Sequence, residues 1–208
     1  MGERCAADEL TDALVLALPR GGVPVAAEIA GAFDLELDVI VVRKLGVPGH
    51  EELAMGAIAS GDVIVRNREV IDGLGISERA FDGVLRRERA ELLDRERRFG
   101  KTHTAPAPAL ADRTIVVVDD GVATGATMRA ALASLRASGT GRVVIALPVA
   151  PPDTAAQLVE VADQLVCLHT PDPFGAVGGS YDDFSQTSDA DVRRLLNDAR
   201  DRVARRGN

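Results

Sequence analysis

Thr114-Ile115-Val116-Val117-Val118-Asp119-Asp120-Gly121-Val122-Ala123-Thr124-Gly125-Ala126-Thr127-Met128 is the stretch whose reading decides the fold. Ile115 and three β-branched valines in a row read as a strand buried on both faces, the mark of a parallel sheet. Two carboxylates close the strand, a Gly/Thr-rich turn follows, and residues 128–135 have helical spacing. This order sets two negative charges beside a helix N-terminus whose free N–H groups favour an anion. A phosphorylated ribose, with hydroxyls on one side and phosphate on the other, suits such a site. Small side chains let the main-chain N–H groups of residues 123–127 ring a phosphate, and the Thr124 and Thr127 hydroxyls add donors. Asp119 and Asp120 would accept from vicinal sugar hydroxyls and are the oxygen ligands Mg²⁺ prefers. A plain βα turn would leave the second Asp and the paired Thr without a role. No G-x-x-x-x-G-K-[ST] is present, and no G-x-G-x-x-G opens a helix.

Outward from this run, strands and helices alternate as in an α/β parallel sheet. Strands are expected at 13–18, 37–42, 142–149 and 164–169, with one or two short ones across 58–65 broken at Gly61-Asp62. Helices are expected at 25–33, 77–99, 154–162 and 189–206, with the helix after the acid pair closing at Gly139. Residues 105–108, Ala-Pro-Ala-Pro, mark a loop, and a Pro/Gly-rich segment spans 170–180. One domain over 1–208 is the expectation, with its core at about 13–169, a hood mainly from 170–184 and a C-terminal helix at 189–206. On 77–99 an apolar stripe of Phe81, Val84, Leu85, Leu92 and Phe99 runs through eight bases and six acids between Glu78 and Lys101. The interleaved signs read as i,i+4 pairs on a solvated face, and the stripe is a candidate subunit contact.

Composition narrows the function classes. The chain has 208 residues, no Trp, 3% aromatics and a formal net charge of −8. An acidic, aromatic-poor protein is a poor binder of nucleic acid or of an anionic membrane. Cys5 and Cys167 match no metal or redox spacing. No apolar run approaches the ~18 residues of a membrane span, and the acidic N-terminus is no signal peptide, so a cytoplasmic location is expected.

Three further loops carry chemistry. Pro19-Arg20-Gly21-Gly22 follows the first strand and precedes a helix, so its cation is placed to meet an anion, although alone it reads equally as an ordinary turn. Arg43-Lys44-Leu45-Gly46-Val47-Pro48-Gly49-His50-Glu51-Glu52 begins where the second strand ends, and its last three residues are candidates for proton transfer. Phe174-Gly175-Ala176-Val177-Gly178-Gly179-Ser180-Tyr181-Asp182-Asp183-Phe184 follows the last core strand, with Tyr181 and Phe184 expected as packing residues.

The acid run resembles the phosphoribosyl diphosphate (PRPP) signature of type I phosphoribosyltransferases, and the resemblance extends from Ala13 to about Phe184. It is nearest to bacterial phosphoribosyltransferases with the same Pro-Arg-Gly-Gly, Arg-Lys-Leu-Gly, Asp-Asp-Gly-Val-Ala-Thr-Gly and Phe-x-x-Val-Gly landmarks. It implies a Rossmann-like parallel sheet with flanking helices and a small hood. It also implies a pentosyltransferase that moves phosphoribose from Mg²⁺·PRPP to a nitrogen of a nucleobase-like acceptor, in a homodimer. By carry-over, Asp119 and Asp120 hold the ribose hydroxyls and reach Mg²⁺ indirectly, through PRPP or water. Ala123, Thr124, Gly125, Ala126 and Thr127 hold the 5′-phosphate; Arg20, Gly21, Gly22, Arg43 and Lys44 hold the diphosphate; Phe174 and Val177 meet the base. Asp119, Asp120, Arg20 and Lys44 are the candidate catalytic residues, and residues 43–52 are expected as a mobile flap. A non-proline cis peptide is expected next to Arg20. Ala123 stands where hypoxanthine-guanine enzymes carry a catalytic Asp, so this loop follows the adenine-type pattern and supplies no base. Relatives have a fuller helix before the first strand, which suggests a clipped start here. The alternatives are a PRPP-binding regulator without turnover and a PRPP synthase relative, the latter lacking a recognisable ATP site.

Overall fold

The structure is a computed structural model that describes residues 10, 12–100, 110 and 113–206. Cys5, the N-terminal segment and the expected loop at 105–108 lie outside the described residues. Five strands form one parallel sheet: β1 (Leu14–Ala17), β2 (Glu36–Val39), β6 (Ile115–Val118), β7 (Val143–Val149) and β8 (Gln164–His169), in the order β2-β1-β6-β7-β8. All four residues of β1 and of β6 are buried. Alternation divides them between two cores. Val15, Ala17, Val116 and Val118 face α1 (Gly22–Ala32) and α6 (Asp189–Arg206), whereas Leu14, Leu16, Ile115 and Val117 face α4 (Ala126–Ala137) and α5 (Pro152–Val159). The two-faced burial explains the unbroken apolar run from which the parallel sheet was read.

The strand order has one reversal that matters. The chain goes from β1 outward to β2, and then from β6 through β7 to β8 in the opposite direction. β1 and β6 are neighbours in register, with Ala17 beside Val118, so the loops that leave them start at one level. A crevice opens at such a switch point, beyond the carboxyl ends of the strands.

Between β2 and β6 the chain builds a second unit. β3 (Val42–Val47), β4 (His50–Ala59) and β5 (Val63–Arg66) form an antiparallel sheet, followed by α2 (Arg68–Gly73) and the long α3 (Glu78–Phe99). Residues 43–52 form a β-hairpin rather than an irregular loop: Arg43 to Val47 is strand, the reversal is at Pro48-Gly49, and His50 to Glu52 begins β4. The expected break at Gly61-Asp62 is borne out as the β4–β5 turn, where both residues have positive φ (81° and 61°), as a tight twisted hairpin requires. The apolar stripe of α3 is also spent within the molecule. Phe81, Val84, Leu85 and Leu92 are buried in one cluster with Leu45, Met55 and Ile58 of the small sheet. Paired charges flank it, with Arg89 donating to Asp62 at 2.7 and 3.1 Å and Arg66 to Glu78 at 2.7 and 2.9 Å.

Other boundaries follow local chemistry. Ser77 caps α3 by accepting from the Ala80 N–H, and Gly139 (φ 76°) follows the end of α4. α5 starts at Pro152, where a missing N–H costs nothing. The terminal helix begins with Ser188 and Asp191 capping each other's N–H groups at 3.1 Å. Among the described residues, no helix is long and apolar enough to cross a membrane.

Candidate functional site

Asp119 and Asp120 stand at the end of β6, and Arg20, Gly21 and Gly22 leave the neighbouring β1. The two loops touch. A Cβ built on Gly21 would lie 1.8 Å from Asp120 Oδ2, and one on Gly22 would lie 2.7 Å from the Val118 carbonyl oxygen. Only glycine lets the loops approach this closely, because a side chain would occupy the space of the carboxylate. The Pro19–Arg20 peptide is cis, which bears out the expectation next to Arg20.

The acid pair is electrostatically loaded. Asp119 Oδ1 accepts the Asp120 N–H at 2.9 Å. Burial, with the neighbouring Asp120 carboxylate, pushes the Asp119 pKa up to about 8. Burial also raises that of Asp120. Two like charges at this spacing call for hydroxyl donors or a cation. The donor set, two hard carboxylates, fits Mg²⁺, which keeps waters and shares its coordination with substrate phosphates. Among the described residues no group of three or more His, Cys, Asp or Glu could hold a metal by itself.

Two helices start at this crevice, α1 from Gly21 and α4 from Gly125 (φ 67°). Neither has a side-chain cap from its N-cap residue or an acid in its first turn. At α1 the Gly22 and Val23 N–H groups are taken by the Leu18 and Arg20 carbonyls at 3.1 Å, and Asp119 and Asp120 pack beside them, so the α4 start is the better anion site. Ala123, Thr124, Ala126 and Thr127 are exposed on the α4 loop. That loop is braced from behind: the Thr154 hydroxyl donates to the Ala123 carbonyl at 2.8 Å, and the Ala126 N–H reaches Thr124 Oγ1 at 3.4 Å.

A cavity of about 610 Å³ opens beside the acids. Arg20, Gly21 and Asp120 form one wall, and Tyr181, Phe184 and residues 185–187 the other. Tyr181 donates its hydroxyl to the Asp120 carbonyl at 2.5 Å, and its ring lies 5.1 Å from that of Phe184. Burial, then the charges of Asp120 and Asp119, push the Tyr181 pKa up to about 12, so the phenol stays a donor. Arg20 Nη1 donates to Asp189 Oδ1 at 3.3 Å.

Several expected site residues stand apart from this cavity. Arg43 donates from Nε and Nη2 to Glu88 Oε2 at 3.0 and 2.6 Å, on the α3 side of β3. Lys44, next along the strand and so on its other face, reaches the Glu52 carbonyl at 3.1 Å. Neither lines the cavity, and nor do Phe174 and Val177, both of them half-buried. Val177 instead packs over Gly121, its Cγ1 lying 2.7 Å from a Cβ built there. Sequence reasoning missed Thr154, Asp189 and residues 185–187. It also read Tyr181 as packing alone. The Ser188-x-x-Asp191 spacing does mark the start of α6, but nothing local aims Asp189 at an arginine 169 positions away.

Comparison with known proteins places this geometry. The phosphoribosyl transferase domain family model matches residues 3–183. The chain is 47% identical over 186 residues to a protein known from two strains of Mycobacterium tuberculosis, whose name assigns it only provisionally as a phosphoribosyl transferase. That match covers 89% of this chain and 42% of the relative, so the chain spans less than half the length of the curated relatives it matches. The crystal structure of TT1426 from Thermus thermophilus superposes with a TM-score of 0.80 at 38% identity, covering 92% of each chain. A match over most of the chain, joined to the switch-point crevice and its acid pair, gives one conclusion: the chain belongs to the phosphoribosyl transferase domain family.

Proposed function

We propose that this chain transfers the 5-phosphoribosyl group from Mg²⁺·PRPP to a nitrogen of a nucleobase-like acceptor, releasing diphosphate. The observation that carries the reading is the contact between the Arg20-Gly21-Gly22 loop and the acid pair, with a Gly21 Cβ position 1.8 Å from Asp120 Oδ2. A donor that spans both loops presents ribose hydroxyls to one and diphosphate to the other. Asp119 and Asp120 accept from the ribose hydroxyls. Main-chain N–H groups of residues 123–127, with the Thr124 and Thr127 hydroxyls, take the 5′-phosphate at the start of α4. Arg20 and the Gly21 main chain take the diphosphate; the Gly22 N–H is held by the Leu18 carbonyl at 3.1 Å, and Gly22 contributes close approach instead. Mg²⁺, when bound, supplies charge neutralisation of the diphosphate as it leaves. The catalytic gain then comes from positioning and from preorganised charge rather than from a nucleophilic side chain.

The cavity supports the acceptor class. Among the described residues its wall holds one cation, Arg20, against the carboxylates of Asp120 and Asp183. An uncharged acceptor fits that balance better than one bearing a carboxylate. Phe174 and Val177 stay proposed contacts to the base from the hood side, although neither lines this cavity. Homodimerisation and a cytoplasmic setting belong to the same reading, as does the absence of a nucleic-acid partner, which the net charge of −8 supports.

The test is diphosphate release with PRPP, Mg²⁺ and a panel of free bases, comparing the wild type with Asp120→Asn. Release that depends on one class of base and falls in the variant is the expected result. A second reading, a PRPP sensor without turnover, draws on the engagement of Arg43 with Glu88 and of Arg20 with Asp189. PRPP binding without release by any base would select it, and no PRPP binding would remove both.

A further inference from the structure

We propose that Asp189 is a positioning residue for Arg20, holding its guanidinium in the orientation that receives the diphosphate. The proposal rests on the phosphoribosyl transfer reading above. Arg20 lines the cavity and Asp189 does not. Its carboxylate engages one nitrogen of the fork, Nη1 at 3.3 Å from Oδ1, and a guanidinium carries further donors for an anion. Arg20 sits on a loop and has a long, rotamer-rich side chain. Asp189 sits on a rigid platform. It is the first residue of α6, whose Val192, Leu196 and Ala199 are buried in the core, and the Ser188–Asp191 capping pair fixes the helix start beside it.

A stability role does not account for the pair. The side chains keep 37% and 30% of their exposure, and one N···O contact between partly solvated groups contributes little to folding. Preorganisation does account for it, because a cation held in place loses less freedom when its anion arrives. The Asp189 charge opposes the same anion, but at 30% exposure it is open to screening. The acceptor oxygen, rather than the charge, is then the part that matters.

Calorimetric titration with Mg²⁺·diphosphate, and separately with ribose 5-phosphate, tests this on the wild type, Asp189→Ala and Asp189→Asn. Asp189→Ala is expected to weaken diphosphate binding by about 3- to 10-fold, the cost of one freed side chain. Asp189→Asn, which keeps the acceptor, restores wild-type affinity or exceeds it. Ribose 5-phosphate affinity stays within about twofold throughout, a selectivity that general damage to the fold would not produce. Diphosphate binding by Asp189→Ala as tight as in the wild type overturns the positioning role and leaves the transferase reading standing. So does a failure of Asn to restore it, or an equal loss for both ligands. A wild type that binds neither ligand removes the transferase reading, and this proposal with it.

Discussion

Gly21→Ala separates the reaction from the fold. Gly21 has helical backbone angles (φ −60°, ψ −36°), which alanine adopts freely, so any effect of the substitution is steric. The added methyl would sit 1.8 Å from Asp120 Oδ2 and 2.5 Å from its Cγ. Ordinary contact begins at 3.4 Å, so the carboxylate must retreat by about 1.6 Å. It can do so, because it is the end of a side chain at the cavity wall, and the core does not have to move. A 1 Å misplacement at a reacting centre costs on the order of 100-fold, so kcat/KM is expected to fall by at least that factor. Thermal stability is expected to fall by no more than about 1 kcal/mol, roughly 2–4 °C for a chain of this size. Gly22→Ala is the contrast. Its methyl would meet backbone, 2.7 Å from the Val118 carbonyl oxygen and 2.8 Å from the Asp119 Cα, so the loss there is of stability, about 1–3 kcal/mol. Diphosphate release over a range of PRPP concentrations, with melting curves for both variants, measures the two effects. A Gly21→Ala variant within about threefold of wild type would refute the reasoning, since Asp120 would then have moved without consequence.

The pKa of Asp119, raised by burial to about 8, makes the ligand-free protein lose stability as pH rises from about 5 to 8. The folded state binds more protons than the unfolded state across that window, and Glu88, Asp163 and Asp191, whose pKa values are lowered, change stability only at more acid pH. Denaturant titrations at pH 6 and 8 check this, and Asp119→Asn should flatten the slope. Over the same range, Mg²⁺-dependent PRPP affinity should rise, because the carboxylate binds in its ionised form; affinity that is flat with pH would detach Asp119 from the ligand. Arg43→Ala should cost about 1 kcal/mol by removing one of the two arginines, Arg43 and Arg87, that donate to the nearly buried Glu88, while diphosphate affinity changes less than twofold. A tenfold loss of diphosphate affinity in that variant, without loss of stability, would return Arg43 to the site. In the panel of acceptors, uncharged bases should support release and carboxylated ones should not; preferential use of a carboxylated base would contradict the charge balance of the cavity wall.

What the sequence could disclose depended on how far apart the interacting groups lie along it. The β6 run and its acid pair were legible because strand, carboxylates, Gly/Thr loop and helix start follow one another, and burial on both faces leaves an unbroken apolar signature. The β3–β4 hairpin was not. Val42 to Glu52 carries Arg43, Lys44, Pro48, His50, Glu51 and Glu52, a composition that reads as loop. What makes it a sheet is the pairing of Arg43 with Ile58 and Lys44 with Ala57, together with an α3 stripe that begins some thirty residues later. The same distance hides the ion pairs. Glu88, to which Arg43 donates, comes 45 residues on and looks locally like one of many acids on a solvated helix. Gly21 was legible as a glycine of a tight loop, but the reason for it, a carboxylate 99 positions away, exists only where β1 and β6 lie side by side. A local motif therefore names the ligand-facing groups, whereas the groups that orient or neutralise them are chosen by strand order. Arg20 belongs to both kinds: its loop marks it as a cation aimed at an anion, and only the packing of α6 against α1 supplies the carboxylate it donates to.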